Sequence, residues 1–404
     1  MDFQTADKAF IREINKSTIL KVIREKGPIS RADIAKLTGL NPATVTNNVN
    51  ILLEADIITE TGIGDSSGGR KPILLELNKN AFYAIGVDMG LKRARAALIN
   101  LCGEIIKSID MPYGNSIDEK DVIKRIIELV NALLDVRNID KNKILGIGIG
   151  VHGIVNPVEG ISIYAPKFGW KDVAIKDIFE KEFRMPVLID NDVRVMALGE
   201  KWFGNAKSAK DFVFINVGSG IGSAIVINGD IYRGSLYGAG EIGHISIAEN
   251  GPKCNCGNFG CLEVMASGTA LEKRVIHDIN LGKESIIPKL AGDDLSKITG
   301  EIIYEAAKLN DKLALDALYD VGSCLGYAVS NLINILNPEI IIIGGGVARA
   351  GDFVLKPLCD TAHKKSMEHL SQRVRILPSY LNENCGIIGA ATLILNDLFE
   401  GSQK

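Results

Sequence analysis

His244, Cys254, Cys256 and Cys261 form the pattern H-x9-C-x-C-x4-C, with Gly251, Gly257 and Gly260 between them to permit tight turns. One imidazole and three thiolates can close a tetrahedral shell, the ligand set of a structural Zn2+ site with no open position. The competing reading, a chance cluster of reduced thiols, is opposed by the polarity of the run Pro252-Lys253-Cys254-Asn255-Cys256-Gly257. Cys102, Cys324, Cys359 and Cys385 are scattered among apolar neighbours, and an odd total of seven in a long chain argues against a disulfide framework.

Around the cysteine loop lie Glu241 and Glu263, and Asn191 and Asp192 follow the strand-like run Pro186 to Asp190. Carboxylates and amides at strand ends suit a polyhydroxylated ligand, whose hydroxyls need acceptors and donors at fixed positions. Taken singly, each of these acids reads as a solvated surface group. Only together do they suggest a site.

A second chemistry sits near the N-terminus. Ala43, Thr44, Thr46, Asn47 and Asn48 are small and polar, the kind of side chain that lets a helix enter a major groove and bond to base edges or phosphates. Residues 8 to 36 hold eight basic residues, Arg31 among them, against three acidic ones. Such an excess neutralises phosphates and makes binding salt-dependent. A small helical interaction module is the alternative, and the charge favours DNA.

The elements that must carry these residues follow from periodicity. Ile11, Ile14, Ile19, Val22 and Ile23 predict a first helix ending at Gly27-Pro28. Ser30 with Asp33 resembles a capping box for a second, whose face of Ile34, Ala35 and Leu37 stops at Gly39. Asn41 caps a third, with Pro42 in its first position and Val45, Val49, Leu52 and Leu53 turned inward. Ile57 to Glu60, a loop, and Ile73 to Leu77 then predict a hairpin wing with Arg70 and Lys71 near its tip. The sum is a winged helix-turn-helix over residues 1–80.

From Tyr83 the chain alternates strands with glycine turns. The plan Ala84–Val87, Asp88-Met89-Gly90, Ala94–Ile99 returns as Phe212–Val217, Gly218 to Gly222, Ala224–Ile227. Ile340–Ile343 leads into a third glycine loop, Gly344 to Gly346. A unit used twice predicts two related α/β lobes facing a cleft, and glycine loops after strands are ligand or phosphate cradles.

Composition bounds the rest. The 404 residues have 46 Lys+Arg against 49 Asp+Glu, 46% hydrophobic and 24% charged residues, which excludes disorder and a highly basic nucleic-acid coat. The N-terminus lacks the apolar stretch of a signal peptide, and no run approaches the roughly 20 apolar residues of a membrane span. A cytoplasmic protein of two or three domains with no membrane partner is expected.

Gly240-Glu241-Ile242-Gly243-His244, followed by Cys254-Asn255-Cys256-Gly257-Asn258-Phe259-Gly260-Cys261-Leu262-Glu263, resembles the signature of the repressor, open reading frame and kinase (ROK) family, and Ala165-Pro166 with Trp170-Lys171-Asp172 resembles another of its stretches. Asn15-Lys16, Pro28-Ile29-Ser30-Arg31 and Ser66 to Pro72 look most like its xylose-repressor branch. The resemblance implies an N-terminal winged helix-turn-helix followed by a two-lobed actin-like/ribonuclease-H-like ATPase-type α/β fold. The smaller lobe would span 81–195, completed by about 385–404; the larger would span 196–384 and carry the zinc loop and a dimer surface. It further implies that Asn191, Asp192, Glu241, His244 and Glu263 contact a sugar. His244, Cys254, Cys256 and Cys261 would hold one Zn2+ per chain.

The family contains sugar kinases and regulators. In a kinase Asp192 would be the base, and the first glycine loop would read Asp-x-Gly-Gly-Thr. Here it reads Asp88-Met89-Gly90-Leu91-Lys92-Arg93, which places a Cβ in the phosphate cradle and removes a hydroxyl donor. Asp192 and the other two glycine loops remain, so kinase activity is the alternative. The expectation is a non-enzymatic, sugar-responsive repressor of pentose-utilisation genes, acting as a homodimer or tetramer on operator DNA.

Overall fold

The computed structural model of the chain describes residues 8–64, 71–113, 118–135 and 139–400. The head begins with helices α1 (Lys8–Lys26), α2 (Arg31–Thr38) and α3 (Pro42–Glu54). Its three-stranded sheet pairs β1 (Ile29–Ser30) and β2 (Ile58–Ile63) on either side of β3 (Ile73–Leu77). Local chemistry sets these bounds: the Ser30 hydroxyl accepts from the Asp33 amide at 3.1 Å, Gly39 ends α2 in the left-handed region, and Asn41 accepts from the Ala43 amide at 2.8 Å ahead of Pro42.

Burial corrects part of the expected helix faces. Leu37 is 58% exposed and Ile14 49%, so neither belongs to the head's core, which is built from Ile19, Leu20, Ile23, Ile34, Val45, Val49 and Leu52. Asn48, expected on the DNA-facing side, is 5% exposed and donates through Nδ2 to the Thr44 carbonyl at 2.9 Å. Position 48 lies three residues after Val45 and four before Leu52, on the apolar stripe itself. Arg70 lies outside the described residues.

The chain beyond the head contains one topology twice. In the first sheet β4 (Tyr83–Met89), β5 (Arg93–Asn100) and β6 (Ile105–Pro112) form an antiparallel meander. Helix α4 (Glu119–Leu134) then leads to β7 (Ile144–Val151), which pairs in parallel with β4. A small sheet of β8 (Ile154–Asn156), β9 (Ile161–Ala165) and β10 (Trp170–Val173) and helix α5 (Ile175–Phe183) precede β11 (Val187–Asn191), which joins β7 in parallel. The order is β11-β7-β4-β5-β6.

Helix α6 (Asp192–Phe203) opens the second copy: β12 (Phe212–Val217), β13 (Ile221–Ile227) and β14 (Asp230–Tyr232) form the meander. After α7 (Leu262–Ala266), α8 (Gly268–Asn280), α9 (Ile287–Leu290), α10 (Gly300–Lys308) and α11 (Lys312–Leu336) comes β15 (Ile340–Gly344) beside β12. Helices α12 (Asp352–Lys365) and α13 (Glu368–Ser371) lead to β16 (Arg375–Pro378), giving the order β14-β13-β12-β15-β16. The expected duplication is present strand for strand.

The contacts divide the chain into two units, residues 1–192 with 386–404, and residues 193–385. In the first, helix α14 (Cys385–Glu400) lies directly on the sheet. A Cβ on Gly86 would stand 1.9 Å from the Ile387 carbonyl, and one on Gly148 1.8 Å from that of Ala390, so only glycine at these strand positions lets the helix backbone approach. At its far end the ring of Phe399 is fully buried, with the Arg24 guanidinium of α1 5.1 Å from its centroid. Among the described residues no helix is long and apolar enough to cross a membrane.

Candidate functional site

Three adjacent parallel strands of the first unit end together, and their carboxyl ends carry its polar residues. This is the place where open α/β sheets bind ligands. Asp88, one residue before the end of β4, is in register with Gly150 of β7, and Val151 of β7 is opposite Asn191 of β11. Asp192 follows at the start of α6. The His152 ring places Nδ1 3.3 Å from Asp192 Oδ2, and Asn191 Nδ2 donates to the Gly153 carbonyl at 2.9 Å. Burial raises the Asp88 carboxyl from 3.8 to about 6; Asp192 adds to the shift, while Arg95 and Arg93 oppose it.

The turn joining β4 to β5 is short, and Leu91 packs against the buried core of this unit. Its neighbours Lys92 and Arg93 are exposed, and the Lys92 carbonyl accepts from the Tyr113 amide at 3.0 Å.

Glu241, His244 and Glu263 belong to the second unit. Glu241 is exposed just before the 3-10 turn Ile242–His244, and Glu263, in α7, accepts the Ile221 amide through Oε2 at 3.0 Å. The segment ahead of Glu241 is held by the buried Arg194 of α6, which donates to the carbonyls of Tyr237 at 2.5 Å and Ala239 at 3.4 Å. Neither His152 nor Arg194 was expected from the sequence. A lone histidine after a strand and a lone arginine in an apolar helix have no local spacing that marks them.

The cysteine cluster assembles as expected. His244, Cys254, Cys256 and Cys261 present one donor atom each, all within 4.8 Å of one another. Cys256 Sγ is 3.6 Å from Cys261 Sγ, and Cys254 Sγ is 3.7 Å from His244 Nδ1. A tetrahedron with metal–sulfur bonds of about 2.3 Å and a metal–nitrogen bond of about 2.0 Å has edges of roughly 3.5 to 3.8 Å. The residues therefore fit a tetrahedral ion, with Nδ1 as the imidazole donor. Burial pushes the Cys261 thiol up to about 12, whereas the backbone hydrogen bond from Asn258 lowers that of Cys256. An ion that holds Cys261 as thiolate must displace a tightly held proton.

In the head, α3 exposes Ala43, Thr46 and Asn47 and leaves Thr44 half-buried. Asn50, one helical turn beyond Asn47, is exposed as well. Thr46 bonds back to the Pro42 carbonyl at 2.9 Å. Arg31 pairs with Glu60 of the wing at 3.0 Å, and Lys71 is exposed at the start of the returning strand.

The family model of ROK proteins matches residues 84–397. The chain belongs to the ROK family. A model for winged helix-turn-helix DNA-binding domains matches residues 12–59 of this ROK protein. The xylose repressor of Caldicellulosiruptor bescii is 34% identical over 96% of this chain and 97% of its own. A crystal structure of a ROK family transcriptional regulator, a homologue of the E. coli MLC protein, matches with a TM-score of 0.84 at 31% identity, covering 97% of each chain. The glucokinase of Halalkalibacterium halodurans is 35% identical over 77% of this chain and 94% of its own. The fold is thus a winged helix-turn-helix ahead of the two-lobed, actin-like ROK architecture.

Proposed function

We propose that this ROK protein is a sugar-responsive transcriptional repressor of carbohydrate-utilisation genes, with D-xylose or a related pentose as effector. The observation that carries the reading is the head: a capped third helix with Ala43, Thr46 and Asn47 on its outer face, followed by a wing, in a chain similar to a xylose repressor over nearly its whole length. DNA contacts are assigned to Ala43, Thr44, Thr46 and Asn47, with Arg31, Arg70 and Lys71 as phosphate partners. Two heads of a homodimer, or of a tetramer, would read a palindromic operator in the cytoplasm, because helix-turn-helix dimers match half-site spacing.

Sugar hydroxyls are assigned to Asn191 and Asp192 and to Glu241, His244 and Glu263. With Nδ1 directed at the cysteines, Nε2 of His244 is the nitrogen left for a hydroxyl. One Zn2+ per chain is proposed on His244, Cys254, Cys256 and Cys261 as a structural ion that fixes the loop between Glu241 and Glu263. For the sugar to change operator affinity five- to 150-fold, it must bind the two states with a difference of about 1 to 3 kcal/mol.

Titration of operator DNA with and without D-xylose tests the reading, and an unchanged operator affinity at saturating xylose would refute it. A kinase is the second reading, favoured by the retained Asp192, the loops Gly218 to Gly222 and Gly344 to Gly346, and the glucokinase relative. Against it stands Leu91, packed on the core at the position where the family's kinases carry a second glycine.

A further inference from the structure

The turn His152-Gly153 makes one hydrogen bond to each member of the Asn191-Asp192 pair. The parallel register that sets Val151 against Asn191 brings His152, one residue on, opposite Asp192. Gly153 adopts a φ of +99°, and a Cβ there would stand 2.2 Å from the Tyr164 carbonyl, so the turn closes in this form only with glycine. Its carbonyl takes the Asn191 amide, and its histidine meets the Asp192 carboxylate. A carboxylate only accepts, so Nδ1 of His152 is the donor.

We propose that His152 is a positioning residue of the sugar site: its Nδ1–H fixes the rotation of the Asp192 carboxylate, and sugar affinity depends on that orientation. The inference rests on the assignment of Asp192 as a sugar contact. Asp88, on the strand next to β7, adds a second carboxylate to the same end of the sheet, its pKa raised chiefly by burial and further by the Asp192 charge. The His152 imidazole lies within hydrogen-bonding reach of the Asp192 carboxylate, and a donor to a charged acceptor makes one of the stronger hydrogen bonds. A site that presents pre-oriented acceptors loses less on binding than one that must order them.

The test is calorimetric titration of D-xylose into the full chain for wild type, His152→Leu, His152→Asn, Asp192→Asn and the double variant His152→Leu/Asp192→Asn, with the melting temperature of each. Losing a charge-assisted hydrogen bond should weaken xylose binding by about tenfold or more in His152→Leu. Asparagine can donate from nearly the same place as Nδ1, so His152→Asn should recover most of that loss. In the Asp192→Asn background, His152→Leu should add little. Wild-type affinity in His152→Leu, with binding weakened by Asp192→Asn, overturns the inference and leaves the sugar reading standing. Equal losses in the Leu and Asn variants mean a packing role and overturn it too. If wild type does not bind xylose, or Asp192→Asn binds it unchanged, the sugar reading and the inference fall together.

Discussion

Cys254 Sγ lies 3.7 Å from His244 Nδ1, which is the edge length of a tetrahedral site, and it ties the cysteine loop to the residue that ends the Glu241 segment. Elemental analysis of the purified chain should therefore find about one Zn2+ per chain, and Cys261→Ser should lose most of it. Removal by a chelator should lower the melting temperature and weaken sugar binding together, because a metal held there would contribute local folding free energy. A fully folded, metal-free preparation that binds sugar normally would contradict both the zinc and its supporting role.

The head makes a sharper distinction between two asparagines one residue apart. Asn47 is exposed on α3, so Asn47→Ala should reduce operator affinity by roughly 5- to 150-fold if it reads a base edge, with sugar affinity unchanged. Asn48 is buried, and among the described residues its Oδ1 has no hydrogen-bond partner. Asn48→Leu should then raise the melting temperature, by up to about 2 kcal/mol of stability, with little effect on operator choice. Reversal of these two outcomes in mobility-shift and melting experiments would reassign the DNA-facing side of the helix.

Asp88 supplies a pH dependence whose sign is fixed. Its folded-state pKa of about 6 lies above the ordinary 3.8, so the folded chain holds the proton more tightly and the ionised form costs stability. That cost is absent below about pH 4, grows between about 4 and 6, and is complete above about 6, where it reaches at most about 3 kcal/mol. Asp88→Asn should raise the melting temperature near neutral pH, with roughly half that gain at about pH 5. Equal gains at the two pH values would remove burial of the charge as the cause.

Phosphoryl transfer depends on positioning, and the first glycine turn of this chain holds Leu91 against the core. A coupled assay with ATP and D-xylose should show no sugar-dependent turnover above background. Turnover at enzyme-like rates of about 1 per second or faster would restore the kinase reading.

The parts of this fold legible in the sequence are those whose determinants are local. Ser30 with Asp33, Asn41 with Pro42, and the glycine turns between strands each act within a few residues, and each appears where expected. The cysteine cluster is readable for the same reason, since three of its four residues lie within the short run Cys254 to Cys261. Polarity alone puts Asn48 on the outer face of α3, but angle decides its place: positions 45, 48, 49 and 52 share one side of a helix whatever occupies them. His152 could not be found this way. Its partner Asp192 is 40 residues away, and only the parallel register of β7 and β11 brings the two side by side.

Helix α14 begins beside Asp88, where a Cβ on Gly386 would stand 2.5 Å from the carboxylate, and ends with Phe399 under Arg24 of the head. In chain order Phe399 follows every residue of the second unit. The head precedes the second unit in the chain, yet the ring that its Arg24 covers follows that unit. A chain truncated before α14 would therefore remove the aromatic ring against which the Arg24 guanidinium of α1 packs.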